Sequence, residues 1–248
     1  MAGRINEQLE YAPNKKLWLR EPVNQDMDEI RHLYYEVYKG SYTLPEISDA
    51  DTMKWAINDP NYFWILGMDG DKLVSSVLFV VAPEQLMGKT FAGVVHPDYR
   101  GHKILIKMIK RGLDYLIKEQ NLCELVYGVV RTFAPLSFHS DLHSLGFVDL
   151  GIFPNVRKVE RYETHSLKVW YKEEALKKRK KHPRLIHQAN QIYRIAADRL
   201  NLEDAEIVRP KIKKYDVKDR LELLLERGKE IEWEYYEKRD GGELLLDF

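Results

Sequence analysis

The chain has 248 residues, 39 Lys and Arg against 39 Asp and Glu, and 44% hydrophobic residues. That balance supports a packed core, argues against global disorder, and lacks the basic excess of a chain built to grip nucleic acid. The single cysteine, Cys123, excludes an intrachain disulfide and reads as a small half-buried apolar residue. No stretch is apolar enough over sufficient length to span a membrane, residues 1–7 carry no apolar leader, and Ala2 stands where a myristoylation signal needs glycine, so a cytoplasmic protein is expected.

Residues 1–16 are polar and are expected to be loosely held. Leu17–Arg20 reads as a first strand. Asn24 or Asp26 then caps a helix whose apolar face is Met27, Ile30, Leu33, Tyr34, Val37 and Tyr38. Residues 40–51, with Pro45, read as a loop, and a short helix over Thr52–Ile57 ends at Asp59-Pro60-Asn61. A meander follows: Tyr62–Met68, a turn at Asp69-Gly70-Asp71, Lys72–Val81 and Thr90–Val95. Ile104–Lys118 is an amphipathic helix, Glu124–Val130 a strand, and residues 135–145 a short helix followed by Gly146-Phe147. Tandem strands flanked by helices, with a strand–loop–helix crossover, predict an α/β protein of the α+β type, a mixed sheet covered by helices.

Composition shifts after Lys172. Glu173–Lys181 is a charged helical run that breaks before Pro183. Residues 184–200 carry an apolar stripe of Leu185, Ala189, Ile192, Tyr193, Ala196 and Leu200. A third helix starts at Asp216 or Asp219, carries Leu221, Leu224, Leu225, Ile231, Tyr235 and Tyr236, and stops at Gly241-Gly242; Glu243–Phe248 can add a last strand.

The richest stretch is Val94-Val95-His96-Pro97-Asp98-Tyr99-Arg100-Gly101-His102-Lys103-Ile104-Leu105. A strand runs through a tight turn directly into a helix, leaving free backbone N–H groups at the positive end of the helix dipole, a setting that favours phosphate. The segment resembles the acyl-CoA-binding motif of the GCN5-related N-acetyltransferases (GNAT), a strand followed by Val-x-Pro-x-x-Arg-Gly-x-Gly-x-Gly and a helix. Val95, Pro97, Arg100 and Gly101 match, whereas Lys103 and Leu105 stand where the family usually has glycine. Leu145-Gly146-Phe147 is similar to the end of the family's Tyr-x-x-x-Gly-Phe, with Leu142 in place of the tyrosine that often protonates the departing thiolate. Ser166–Lys172 is similar to its closing strand.

The resemblance implies a mixed, mostly antiparallel central sheet, a GNAT-like acyltransferase domain over residues 17–172, and an α-helical C-terminal extension over residues 173–248. It implies acetyl-CoA or another acyl-CoA as co-substrate, without a metal. Val94, Val95, Arg100, Gly101, His102, Lys103, Ile104, Leu105 and Ser137 are then the expected cofactor-binding residues. For Val94 and Val95 plain sheet core is the alternative; for Arg100, a surface ion pair with Asp98 or Asp114; for His102 and Lys103, simple solvation.

The strand before the motif, Met87–Val95, contains no Asp or Glu to serve as general base. His139 and His143 lie four apart on one helix face and are the candidate catalytic acid or base, against the alternative of surface or half-buried histidines. Their spacing suits a metal, but no third ligand accompanies them. Glu36, Tyr38 and Glu46 are the candidate acceptor-binding residues, the acids attracting an ammonium group; the surrounding tyrosines can equally be core. The basic run Lys177–Arg184 suggests RNA, phosphate or an acidic carrier protein, or else a solvated helix with Glu173–Lys177 and Glu174–Lys178 pairs.

The expectation is therefore an acyl-CoA-dependent N-acetyltransferase whose small-molecule or peptide amine acceptor attacks the thioester directly, with nucleic acid not expected. A non-catalytic acyl-CoA-binding or scaffold protein of the same fold is the alternative. The apolar stripes of the extension need burial, either on the transferase domain or in a homodimer.

Overall fold

The computed structural model describes residues 5–158 and 162–209, with side chains described for 5–154 and 162–209, and the backbone of two further strands at 233–238 and 241–246. Eight strands form one sheet in the order β1-β2-β3-β4-β5-β6-β8-β7. They are β1 (Asn6–Ala12), β2 (Lys15–Arg20), β3 (Tyr62–Asp69), β4 (Lys72–Ala82), β5 (Met87–Val95), β6 (Leu125–Arg131), β7 (Val148–Lys158) and β8 (Tyr162–Tyr171). Every neighbouring pair is antiparallel except β5 and β6. That parallel pair needs a crossover, supplied by α4 (Ile104–Leu113), which widens into a π-helical turn over Asp114–Glu119.

Helices cover both faces. On one, α1 (Met27–Tyr38), α2 (Pro45–Ser48) and α3 (Ala50–Asn58) bury Ile30, Leu33, Tyr34 and Met53 against Trp64, Leu66, Leu78 and Val94. On the other, α4 and α5 (Leu136–Ser144) bury Ile104, Met108, Ile109 and Leu142 against Phe63, Val77, Phe79 and Val126. Gly112 permits the close seat of α4, since a Cβ there would stand 2.3 Å from the Phe79 ring.

Several expectations need correction. Of the residues expected to be loose, 6–12 form a strand: β1 starts the sheet at Asn6, ahead of the expected start at Leu17, because Ile5, Leu9 and Tyr11 alternate onto the α4 face. Lys107 Nζ donates to the Glu10 carbonyl at 2.8 Å and so ties this edge down. The 40–51 loop contains α2, with Pro45 preset for its first turn, and Asp49 caps α3 by accepting from the Thr52 amide at 2.8 Å. Neither Asn24 nor Asp26 caps α1 through its side chain: the Asp26 carboxylate instead accepts from the Val23 amide and both arms of the Arg20 guanidinium. Strand β7 was not anticipated.

In the extension, the charged run is helical only over α6 (Glu173–Lys177). Arg184–Leu185 forms β9, paired in parallel with β10 (Glu206–Ile207), and α7 spans His187–Leu200. Most of the expected third helix, residues 216–232, lies outside the described residues. Its end, Tyr235 and Tyr236, falls in strand β11 (Trp233–Lys238), which pairs with β12 (Gly241–Leu246), whose first two residues are the glycines expected to stop a helix.

The feature that shapes the site is a bulge in β5. Register against β4 shifts between Ser76/Val94 and Leu78/Phe91, which places one extra residue in β5. Ala92 takes φ +50°, a left-handed backbone that costs a non-glycine residue roughly 1 kcal/mol. The fully buried Tyr34 hydroxyl donates to the Ala92 carbonyl and pins the bulge. Pairing between β5 and β6 runs only from Met87/Leu125 to Thr90/Gly128, so the two strands part where the bulge begins. Removing the hydroxyl by Tyr34→Phe leaves the Ala92 carbonyl buried without its donor. This substitution is expected to lower stability by about 1–3 kcal/mol, read as a lower urea midpoint at unchanged m.

Candidate active site

Beyond Thr90, β5 continues alone beside β6. The His96 amide donates to the Val74 carbonyl at 2.8 Å, on the β4 side. By strand alternation the Val95 N–H and C=O face the other way, into the parting. The Val95 carbonyl accepts from Arg100 Nε at 3.4 Å, and its N–H lies beyond the last β5–β6 pair, Thr90/Gly128. A groove of about 610 Å³ opens there. Its walls include Gly93, Val94 and Val95 of β5, Val37 and Tyr38 of α1, the turn and start of α4, Arg131, Phe133, and Ser137, Phe138 and Asp141 around α5.

At one end the backbone N–H groups of residues 101–106 make no hydrogen bonds among the described residues. They cluster at the α4 start, with Arg100, Lys103 and Arg131 also on the groove wall. This donor and cation set matches a diphosphate. Lys103, in a position where the resemblance calls for glycine, holds φ +57°, the left-handed conformation glycine adopts without strain. The backbone path of a phosphate loop is therefore kept, at a conformational cost. Lys103 Nζ meets the Asp141 carboxylate at 2.6 Å, which bridges α4 to α5 across the groove. The second departure has a different consequence: the Leu105 methyls lie 3.0 Å from where a Cβ on Gly93 would sit, so its side chain rests on the bulge and narrows the groove.

Of the expected cofactor-binding residues, Val94, Val95, Arg100, Gly101, Lys103, Ile104, Leu105 and Ser137 line this groove. His102 does not; its ring packs edge-on against Tyr11 at 5.4 Å between centroids. Tyr38 lines the groove and stacks with Tyr34 and Tyr42. Glu36 is not among the lining residues, though its neighbour Val37 is, and its Oε2 lies 3.2 Å from His96 Nε2. Glu46 is elsewhere, accepting from the Tyr62 hydroxyl at 3.2 Å; burial and then Glu46 push that phenol up to about 12.

His139 and His143, expected as catalytic residues, are not on the groove wall. They lie over a polar cluster between α5 and the sheet. His143 Nε2 meets Asp149 at 2.6 Å, and Asp149 also takes the ammonium of Lys168, a side chain only 2% exposed, at 2.6 Å. Burial, and then the Lys168 charge, push the His139 imidazole below its usual range, and its Nε2 is buried without a hydrogen-bond partner. α5 was expected to present these histidines to the site, but its groove face is Ser137, Phe138 and Asp141. Among the described residues no group of three or more His, Cys, Asp or Glu is placed to share a metal ion.

Cys123 is fully buried ahead of β6, and burial pushes its thiol up to about 11. The site lies at the opposite end of that strand. The basic run is largely engaged: Lys177 pairs with Glu173, Lys178 with Glu124, Arg179 and Lys181 with Glu203, and Arg184 with Glu206. The expected Glu174–Lys178 pair is replaced by the contact to Glu124. No helix among the described residues is long and apolar enough to cross a membrane.

A mostly antiparallel sheet, a single parallel pair that parts at a bulge, and a strand–turn–helix loop at that parting together constitute the GCN5-related N-acetyltransferase fold. Solved structures agree. A ribosomal-protein-S5-alanine acetyltransferase from Vibrio fischeri superposes with a TM-score of 0.55 at 15% identity, over 67% of this chain and 97% of that one. The spermidine/spermine N-acetyltransferase SpeG from Vibrio cholerae, in complex with manganese ions, superposes with a TM-score of 0.53 at 19% identity, over 66% and 97%. No protein-family model and no curated protein matches the sequence.

The Asp149 cluster yields a stability prediction. Burial opposes ionisation of Asp149, but hydrogen bonds from Lys168 and His143 and the Lys168 charge outweigh it and hold the carboxyl below its ordinary 3.8. Its stabilisation is thus complete above that value and is lost as pH falls through the lowered folded value. Asp149→Ala strands the Lys168 ammonium in the sheet. It is expected to cost about 3–5 kcal/mol at neutral pH, measured by urea unfolding, and the deficit should shrink in acid.

Proposed function

We propose that the protein is an acyl-CoA-dependent N-acetyltransferase acting on a primary amine. The observation that carries this reading is the Val95 N–H at the strand parting, beyond the last β5–β6 pair, in one groove with the α4-start amides that make no hydrogen bonds among the described residues and with the side chains of Arg100, Lys103 and Arg131. An acyl-CoA supplies an activated thioester and a diphosphate, and the two ends of the groove suit these in turn. The amides of residues 101–106 and the arginines would hold phosphate. The exposed edge of β5 would pair with the amide-bearing arm, and the Val95 N–H would polarise the thioester carbonyl. His139 and His143, which are not among the residues lining the groove, take no part in the proposed chemistry.

Direct attack by the amine fits the residues. Cys123 is protonated and remote, so it offers no acyl-enzyme route. The structural neighbours bear the names of enzymes that acetylate spermidine and a ribosomal protein's alanine, and a small-molecule or peptide amine is the corresponding acceptor here. Engagement of the basic run by acids favours no role for nucleic acid. On α7, Ile192 and Ile195 are 67% and 59% exposed, and this face supports pairing of the extension with a second copy.

One observation favours the non-catalytic alternative. Leu142, where the family places its proton-donating tyrosine, is 2% exposed in the core, so no phenol is available there. Two measurements separate the readings: calorimetry with CoA, and release of free thiol from acetyl-CoA against a panel of primary amines. The proposal expects both binding and turnover; binding without thiol release would move the assignment to the scaffold reading, and absence of both would end it. Arg100→Ala is expected to weaken CoA binding about tenfold through loss of one charge-assisted contact.

A further inference from the structure

We propose that Glu36 and His96 form the proton-accepting pair for the acceptor amine, with Glu36 taking the ammonium proton and His96 acting as the positioning residue that holds the carboxylate. This rests on the acyltransferase reading. An amine must shed a proton before it can attack a thioester, and β5 carries no carboxylate. Asp141, the carboxylate on the groove wall, is held by Lys103. Glu46 is with Tyr62, Asp149 with Lys168, and Glu163 with Arg131.

Glu36 remains. It immediately precedes Val37 and Tyr38, which line the groove, and its side chain is 38% exposed. His96 directly follows Val95, so its Cα stands about 3.8 Å from that of the residue whose N–H faces the parting. Its imidazole is 10% exposed and lies on the α1 side of the sheet. A shielded imidazole behind a reachable carboxylate is the division of labour the proposal requires. The tautomer follows from the turn: the Asp98 amide donates to His96 Nδ1 at 3.3 Å, which leaves the ring proton on Nε2, aimed at Glu36 Oε2 3.2 Å away.

Other charged groups face the pair from each neighbouring element. His32 Nε2 stands 3.6 Å from Glu36 Oε1, Lys72 Nζ 3.4 Å from His96 Nε2, and the Asp98 carboxylate 3.6 Å from Nδ1. The Tyr99 ring meets the imidazole edge-on. Lys72 and Glu36 compete for Nε2, and the Asp98 amide decides in favour of Glu36 as acceptor.

The balance is simple. The ammonium gives one proton to the Glu36 carboxylate, the neutral amine forms the C–N bond, and the C–S bond breaks with its electron pair going to sulfur. The second nitrogen proton neutralises the thiolate, and Glu36 returns its own proton to solvent.

The test uses the full chain, acetyl-CoA, and the amine of the panel that releases thiol fastest, over a pH series. Glu36→Gln is expected to lower kcat about 100-fold at neutral pH with CoA affinity unchanged, and the deficit should close as alkaline pH frees the amine. His96→Ala is expected to lose about tenfold, and His96→Gln, whose amide N–H can replace Nε2–H, to recover most of it. A Glu36→Gln enzyme as fast as the parent, or a deficit constant across pH, overturns the proposal. If no amine is turned over, the acyltransferase reading fails, and the pair is judged on histidine nitrogen NMR. The Nε2-protonated tautomer, with an Nε2 resonance moved by Glu36→Gln, supports the Glu36–His96 contact; the Nδ1-protonated form or an unmoved resonance overturns it.

Discussion

The extra residue in β5 is the constraint on which the rest depends. Without it, β5 would continue to pair with β6 and every backbone group near Val95 would be spent within the sheet. With it, the strand twists away after Thr90 and Val95 presents its N–H to open space. The strain at Ala92 is stabilised from below by Tyr34, a core residue of α1 whose hydroxyl reaches up to the bulge. One side chain thus couples helix packing on one face to the opening of a groove between two strands.

The same geometry explains how the chain tolerates a phosphate loop with two bulky residues. Lys103 accepts a left-handed backbone and so preserves the turn, while its ammonium crosses to Asp141. Leu105 rests on the one residue of the bulge that has no side chain, Gly93. Both departures are absorbed locally: the first adds a charge that a phosphate can share, the second trims the width of the channel. Electrostatics elsewhere follow a different logic. Several cations of the extension meet acids, with Arg179 and Lys181 sharing Glu203, and Arg199 of α7 reaches the Asp149 carbonyl at 3.2 Å, joining the extension to the hub under α5.

Local patterns made much of this legible in the sequence. Periodicity placed α1, α4 and α7, the Asp-Gly turn placed the β3–β4 hairpin, and the motif segment placed seven of the groove's residues. What escaped was set by distant partners. The polar strand β1 is recognisable only once Ile5, Leu9 and Tyr11 have α4 to pack on. His139 and His143 sit on the expected helix, but which way they face is decided by Lys168 and Asp149, a strand pair away. His96 lies within the motif, yet nothing local marks it as a partner of Glu36; that contact joins α1 to the residue after β5, 60 positions further along the chain. Asp141 was silent for the same reason, because its partner Lys103 is 38 residues away.

The seclusion of Cys123 has a practical side. Its sulfur is closed off from solvent and retains its hydrogen at any ordinary working pH. Disulfide-exchange dyes and thiol-directed alkylating agents will find no accessible thiolate among the described residues of the folded chain. Any colour that such a reagent develops in solution reports the small molecule alone, and a protein sample stored in air has no sulfur with which to cross-link to its neighbour.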